Sequence, residues 1–219
     1  MVNDTLTLDQ AIERGLVSVG RNTAISTQVR FLLCEDDGKS SGPIVIGDNV
    51  RIRAGVILCT GVTIGSDVTI GHQCVIRARV TIGESSVISH FVCLERDAHV
   101  GSHVRISALT HITGGCQIGD GVQIGARVVT VNDNEMRWKE GEVLCAPRIL
   151  KKARIGSGCT LLGHVTIGEY SFIGAGSVVT RDIPANRLAY GSPAYIQGEA
   201  PATDWRAGAS KPSDANVGD

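Results

Sequence analysis

The sequence predicts an all-β chain, a three-sided left-handed parallel β-helix of about eight coils. Three observations lead there. Large apolar residues recur at every sixth position from Ile46 through Ile52, Leu58, Ile64 and onward to Ile124 without a break. A second series of small or β-branched residues, among them Val50, Val56, Val62, Val68, Cys74 and Val80, runs four residues behind each. Glycine follows the large residue most regularly every eighteen positions, at Gly47, Gly65, Gly83, Gly101 and Gly119. A hexad with an eighteen-residue super-period makes one short strand per side and three sides per coil. The hexad spacing suits the left-handed form, an exception to the usual right-handed crossover. So narrow a core needs few aromatics, in keeping with 4% aromatic beside 42% hydrophobic residues.

The elements follow in chain order. Thr7-Leu8-Asp9-Gln10 reads as a capping box and Gly15 as a stop, so a short helix over residues 8–14 caps the open end of the prism within residues 1–18. The hexads begin weakly at Val19, Ile25 and Phe31. Residues 34–43 (CEDDGKSSGP) are a polar insertion before the regular coils. Residues 131–148 (VNDNEMRWKEGEVLCAPR) interrupt the repeat and must protrude as a loop. The period resumes at Ile149, Ile155, Leu161, Ile167, Ile173 and Val179, so the β-helix domain is expected over residues 19–198. The stretch 199–219, rich in Ala, Pro, Ser, Asp and Gly, is expected to be a mobile tail.

Side chains eighteen apart should lie on top of one another. Arg77 is then placed beside Glu95, Arg79 beside Asp97, and His72 stacks on His90. The ion pairs read as outward register pins, worth about 0.2–1 kcal/mol each when exposed. The histidine pair lacks a third ligand at matching spacing and reads as solvated or interfacial.

Net charge is −1, from 21 basic and 22 acidic residues, which argues against a nucleic-acid or polyanion surface. Seven cysteines without a C-x-x-C pair, with Cys74, Cys116 and Cys159 on the small inward series, read as core filler in a reducing compartment. The start, MVNDTLTLDQ, lacks a basic and apolar leader pattern, and no apolar run reaches eighteen residues. The expected setting is cytoplasmic, with no membrane and no nucleic-acid partner.

The most diagnostic stretch runs from Leu161-Leu162-Gly163-His164-Val165-Thr166-Ile167-Gly168 through Gly174-Ala175-Gly176-Ser177-Val178-Val179-Thr180-Arg181-Asp182-Ile183-Pro184 to Tyr190-Gly191-Ser192-Pro193-Ala194. It closely resembles the C-terminal signature of the hexapeptide-repeat acyltransferases, "V-x-I-G…G-A-G-S-V-V-T-K/R-D-I-P…G-x-P-A". The resemblance implies an acyltransferase with acetyl-CoA as donor substrate and no metal. It also implies a homotrimer whose coenzyme lies in the groove between two prisms. It places Gly163, Gly174, Ala175 and Gly176 along the pantetheine arm, where they would leave backbone amides accessible. Arg181 falls where the family puts a cation near the coenzyme's phosphates, a role a guanidinium suits.

A hydroxyl acceptor needs a general base, usually histidine. Maltose and galactoside O-acetyltransferases carry "T-A-T-H-P" on the protruding loop, where this chain has Val129-Thr130-Val131-Asn132-Asp133. Lipid A acyltransferases carry "A-H-I-A-H-D-C-T-V-G", where this chain has Thr110-His111-Ile112-Thr113-Gly114-Gly115-Cys116. His111 matches their first histidine, and Gly114 stands at the catalytic second one. The xenobiotic acetyltransferases use a histidine in another protruding loop, and neither insertion here contains one.

A fourth pattern fits better. The nucleotide-sugar N-acetyltransferases that modify 3-amino sugars carry "V-F-T-N-x-x-N-P-R", which Val129-Thr130-Val131-Asn132-Asp133-Asn134-Glu135-Met136-Arg137 resembles without a gap. Val129, Asn132 and Arg137 match. An amine of pKa about 8 is partly free base at neutral pH and can attack a thioester without a strong base. The enzyme then mainly positions reactants and stabilises the oxyanion. The expected activity is N-acetylation of an amino sugar, nucleotide-linked or in a natural product. The candidate catalytic residues are His111 and Asn132. Asp133, Asn134, Arg137, Trp138 and His164 are candidates for acceptor binding, Trp138 by stacking on a base or sugar face. Three alternatives stand beside this reading: O-acetylation of a sugar hydroxyl with His111 as base, a γ-type carbonic anhydrase using His99, His103 or His111 on zinc, and a prism that binds without turnover.

Overall fold

The computed structural model describes residues 5–32, 42–136 and 144–202. Their parallel strands are mostly two or three residues long and stack into three sheets, the sides of a triangular left-handed prism. The first sheet contains Arg30–Leu32, Ile57–Cys59, Val75–Ile76, Cys93–Leu94, His111–Ile112, Val129–Thr130, Thr160–Leu161 and Val178–Val179. The second runs from Val17–Val19 to Thr166–Ile167, and the third from Ala24–Ile25 to Phe172–Ile173. Partners are eighteen residues apart through the regular coils, as in Thr63↔Thr81↔His99.

Both apolar series turn inward. Ile52, Leu58, Ile64, Ile70, Ile76, Ile88, Leu94, Ile106, Ile112 and Ile118 are fully buried, each stacked on its equivalent one coil away. Burying such a side chain contributes about 1.5–3 kcal/mol. Cys74, Cys116 and Cys159 are buried among the small series, as the spacing predicted. The recurrent glycine has a steric cause. A Cβ on Gly47 would lie 2.8 Å from the carbonyl carbon of Gly65 in the next coil, and one on Gly119 would lie 2.8 Å from Lys151 N. The sides meet at turns that hold one residue in the left-handed region, and bulky side chains such as Phe91 (φ 57°) and Leu109 (φ 63°) project outward there.

The outward pairs are also where the spacing put them. Arg77 meets Glu95 at 2.6 Å, Arg79 meets Asp97 at 2.7 Å, and the rings of His72 and His90 stack with centroids 5.3 Å apart.

The helix Leu8–Glu13 closes the N-terminal end. Thr7 N–H donates to Gln10 Oε1 at 2.9 Å while Thr7 Oγ1 accepts from Gln10 N, the expected capping box. Ala11 drops into the core, and Gly15 turns the chain at φ 67°. The insertion at 34–43 falls almost wholly outside the described residues, as does the tail beyond Pro201 and Ala202.

Two features were not predicted. Thr5–Leu6 adds an antiparallel strand to Arg30–Leu32 at the edge of the first sheet. Arg187–Gly191 and Ala194–Glu199 form an antiparallel hairpin that closes the third sheet, with Leu188 paired to Phe172. After Val179 the second sheet is continued by a single parallel bridge from Ile183 to Ile167, Pro184 follows, and the chain turns back at Gly191 (φ 113°). Among the described residues no helix is long and apolar enough to cross a membrane.

Candidate functional site

The loop at 131–148 leaves the prism at the corner between the first and second sheets. It adds residues without shifting the register, since Gln117 pairs with Arg148 and Ile118 with Ile149 across it. Its base is stitched shut. Val131 N donates to Leu161 O at 2.9 Å, Cys145 N to Asn132 O at 3.1 Å, and His164 N to Cys145 O at 3.0 Å. Beneath it Thr130 is buried, and its Oγ1 accepts from Thr113 N at 2.7 Å.

Strand register builds a column at this corner. His111 pairs with Val129, Val129 with Thr160 and Thr160 with Val178, so the residues three places on, Gly114, Asn132, Gly163 and Arg181, stack coil upon coil. Asn132 Nδ2 donates to Gly114 O at 3.2 Å. A Cβ on Gly114 would lie 3.0 Å from Arg96 O and 3.8 Å from Asn132 Nδ2. The two positions at which related families hold a histidine are therefore neighbours here, one without a side chain and the other an amide resting on it.

Asn134 staples the loop to the column. Its Oδ1 accepts from Gly163 N at 2.7 Å and its Nδ2 donates to Gly163 O at 3.2 Å. A Cβ on Gly163 would come within 2.6 Å of Cys145 O and 3.1 Å of Asn134 Oδ1, so the loop requires glycine there. Asp133 Oδ1 caps the local turn by accepting from Glu135 N at 3.1 Å. His164 is exposed with φ 69°, its ring projecting from the same corner. Arg137 and Trp138 lie outside the described residues.

His111 stands on the outward face of the first sheet, half-buried. Directly beside it, on the neighbouring strand, is Cys93. Glu95, two residues further, points the same way, and ligand atoms of Cys93, Glu95 and His111 all lie within 4.8 Å of one another. Burial, and then the Glu95 carboxylate, push the Cys93 thiol up to about 11, whereas burial alone raises Cys74 to about 11 and Cys116 to about 12. Neither Cys93 nor Glu95 was a candidate from sequence. The signal that could have found them is the eighteen-residue step from Cys93 to His111 combined with the two-residue step to Glu95.

The coenzyme candidates divide between the two edges of the first sheet. Gly174, Ala175 and Gly176 (φ 71°) form the corner from the third sheet, with Ala175 and Gly176 exposed. Ser177 Oγ fixes that turn by donating to Gly174 O at 2.6 Å and accepting from Gly191 N at 3.2 Å. Gly163 and Arg181 stand at the opposite edge, in the column. Arg181 is exposed, with its guanidinium 5.2 Å from the Tyr195 ring centroid on the terminal hairpin. The sheet between these edges presents a weakly polar outer row: Ile57, Val75, Cys93, His111, Val129, Thr160 and Val178.

Comparison with known proteins adds the following. The family described as "Bacterial transferase hexapeptide (six repeats)" matches residues 43–78, 61–96, 97–132 and 146–181, more than half of the chain. A dTDP-3-amino-3,6-dideoxy-alpha-D-galactopyranose 3-N-acetyltransferase from Aneurinibacillus thermoaerophilus is 54% identical over 50 residues, 23% of this chain and 26% of that protein. The bifunctional protein GlmU of Agrobacterium fabrum is 41% identical over 83 residues, 38% of this chain and 17% of that protein. The chain thus spans about a quarter or less of the curated relatives it matches. Among solved structures, a UDP-N-acetylglucosamine acyltransferase from Francisella novicida superposes with a TM-score of 0.61 at 16% identity, over 84% of this chain and 69% of that one. That likeness concerns the fold.

Proposed function

The chain belongs to the bacterial transferase hexapeptide family, and on that premise we propose that it is an acetyl-CoA-dependent acyltransferase that N-acetylates an amino sugar. One observation carries the choice of an amine. Asn132 and Gly114, the positions of the histidine in two O-acylating patterns, contact one another, and neither can take a proton. An amide can orient an acceptor by donating and accepting hydrogen bonds. The free amine attacks the thioester carbonyl, the carbon–sulfur bond breaks, and the departing thiolate receives the amine's proton. Proximity and backbone donors supply the rate. The sugar class is supported by the dTDP-amino-sugar N-acetyltransferase relative, whose similarity covers a short stretch.

The coenzyme is proposed to lie along the first sheet between the corner at Gly174, Ala175 and Gly176 and the column ending at Arg181. A second prism is needed to wall that groove, and the family resemblance supports a homotrimer as the working unit. The exposed apolar side chains Val129, Phe91 and Leu109, on or beside the first sheet, are the surface such a neighbour would cover. The inward free thiols and the coenzyme donor accord with a reducing, cytoplasmic setting.

One observation favours a second reading, O-acetylation with His111 as base. A carboxylate, Glu95, lies beside that ring and could orient it. The deciding experiment is a screen of amino sugars and their hydroxyl counterparts, nucleotide-linked and free, with thiol release from acetyl-CoA as readout. Turnover of an amine in preference to its hydroxyl counterpart is expected. Preference for the hydroxyl overturns the amine reading, and absence of turnover with any acceptor overturns both.

A further inference from the structure

The cluster around His111 has a chemistry that acetyl transfer does not require. Cys93 and Glu95 flank the inward Leu94, Cys93 on the strand Cys93–Leu94 and Glu95 immediately after it, so their side chains leave the same face of the sheet. His111 is the register partner of Cys93 on the next strand. Two ligands at i and i+2, on and directly after one strand, and a third across the ladder form a claw whose backbone is held by hydrogen bonds to both neighbouring coils. Among the described residues, this is the group of three His, Cys, Asp or Glu side chains whose ligand atoms gather within 4.8 Å. The Cys93 Sγ to Glu95 Oε1 separation is already 3.7 Å. A tetrahedral cation with bonds of about 2.0–2.3 Å holds its ligands about 3.3–3.7 Å apart. Rotamer adjustments of about 1 Å close the remainder.

We propose that Cys93, Glu95 and His111 form a binding site for one thiophilic divalent cation of the Zn²⁺ class. The donor set is a thiolate, a carboxylate and an imidazole, which suits borderline-soft metals and disfavours Mg²⁺ and Ca²⁺. Three protein ligands leave a fourth position for water. Binding forms the sulfur–metal bond as the thiol proton leaves to solvent, with no change of oxidation state. Glu95 is held for this role by Arg77, whose Nη1 meets Oε2 at 2.6 Å while Oε1 is the oxygen turned to the thiol. The Arg77 charge opposes the cation, and the thiolate and carboxylate together offset it. The site does not depend on the proposed acetyl transfer, since it is read by coordination and not by turnover.

The test is a titration of the full chain with Co²⁺ as a spectroscopic stand-in for Zn²⁺, followed by competition with Zn²⁺. One equivalent per chain should produce a thiolate-to-cobalt charge-transfer band that Zn²⁺ displaces. Cys93→Ser should abolish the band, and Cys145→Ser should retain it. Glu95→Gln and His111→Ala should each weaken Zn²⁺ binding at least tenfold, with unchanged circular dichroism showing that the prism is intact. Absence of the band in the wild-type chain, or its survival in Cys93→Ser, would overturn the proposal.

Discussion

Replacing Asn134 by alanine separates a loop-holding role from an acceptor-binding one. The side chain makes two hydrogen bonds to the backbone of Gly163, at 2.7 and 3.2 Å, in a part-buried setting. Each is worth about 0.5–1.5 kcal/mol net, so the staple contributes about 1–3 kcal/mol. The loss should fall on the loop and not on the prism, because the strands on either side keep their ladder bonds. If the base of the loop opens as a local unit, its opening equilibrium shifts by about 5- to 150-fold. The amides that report it are Cys145, bonded to Asn132 O, and His164, bonded to Cys145 O. Native-state hydrogen exchange should show both losing protection by that factor, while Ile106 and Ile118 in the core exchange as before. Gly163→Ala should open the same base by a different route, since its Cβ would press on Cys145 O at 2.6 Å. In the double variant the effects should be less than additive, because both open the same loop base. Unchanged exchange at Cys145 and His164 in Asn134→Ala would refute the staple. An effect confined to the acceptor KM would return Asn134 to substrate binding.

Three further outcomes are expected. Sedimentation of the native chain should give three times the 23.0 kDa protomer mass. Leu109→Asp should lower it toward the protomer, because a charge enters the apolar seam while aspartate tolerates the φ of 63° better than leucine does. A trimer that survives this change would remove that edge from the interface. Arg181→Ala should weaken acetyl-CoA by about 10- to 150-fold, the equivalent of about 1.5–3 kcal/mol for one charge-assisted contact, and leave the dephosphorylated pantetheine fragment unaffected. Equal losses for both ligands would take Arg181 away from the phosphates. With an amine acceptor, kcat/KM should rise with pH and level off near the amine's own pKa of about 8, with the same midpoint in His111→Ala. A pH profile whose midpoint is lost in His111→Ala would assign the base to that histidine.

The prism was legible in the sequence because one physical demand, an inward apolar side chain on every side of every coil, repeats at a fixed step. That step also gave the outward partners: Arg77 and Glu95, Arg79 and Asp97, and His72 and His90 all meet as their spacing required. What failed was whatever lacks the period. The terminal hairpin rests on the turn at Gly191 and on antiparallel pairing, neither of which a six-residue step can anticipate. The use of Asn134 as a staple was hidden because Gly163 reads alike as a tight turn, a coenzyme contact and a receptor for another side chain. Cys93 escaped notice because a cysteine in this chain is usually inward, and its outward sense follows from its place immediately before Leu94.

The interruption itself is the most informative irregularity. The loop enters and leaves at one corner with the ladder unbroken across it, so the prism loses no pairing by carrying it. It brings Asn132 onto Gly114 and Asn134 onto Gly163, two contacts that the uninterrupted repeat would not supply. A polar side chain in a regular corner turn points to solvent, whereas here two amides turn inward onto backbone and fix the loop's direction. The described base of the loop is thereby tied to the column that runs from Gly114 through Gly163. This arrangement separates the tasks on one rigid frame. The repeat sets the distances between coils, the glycine corners give close backbone approach, and the inserted loop adds the amide contacts of Asn132 and Asn134 to that frame.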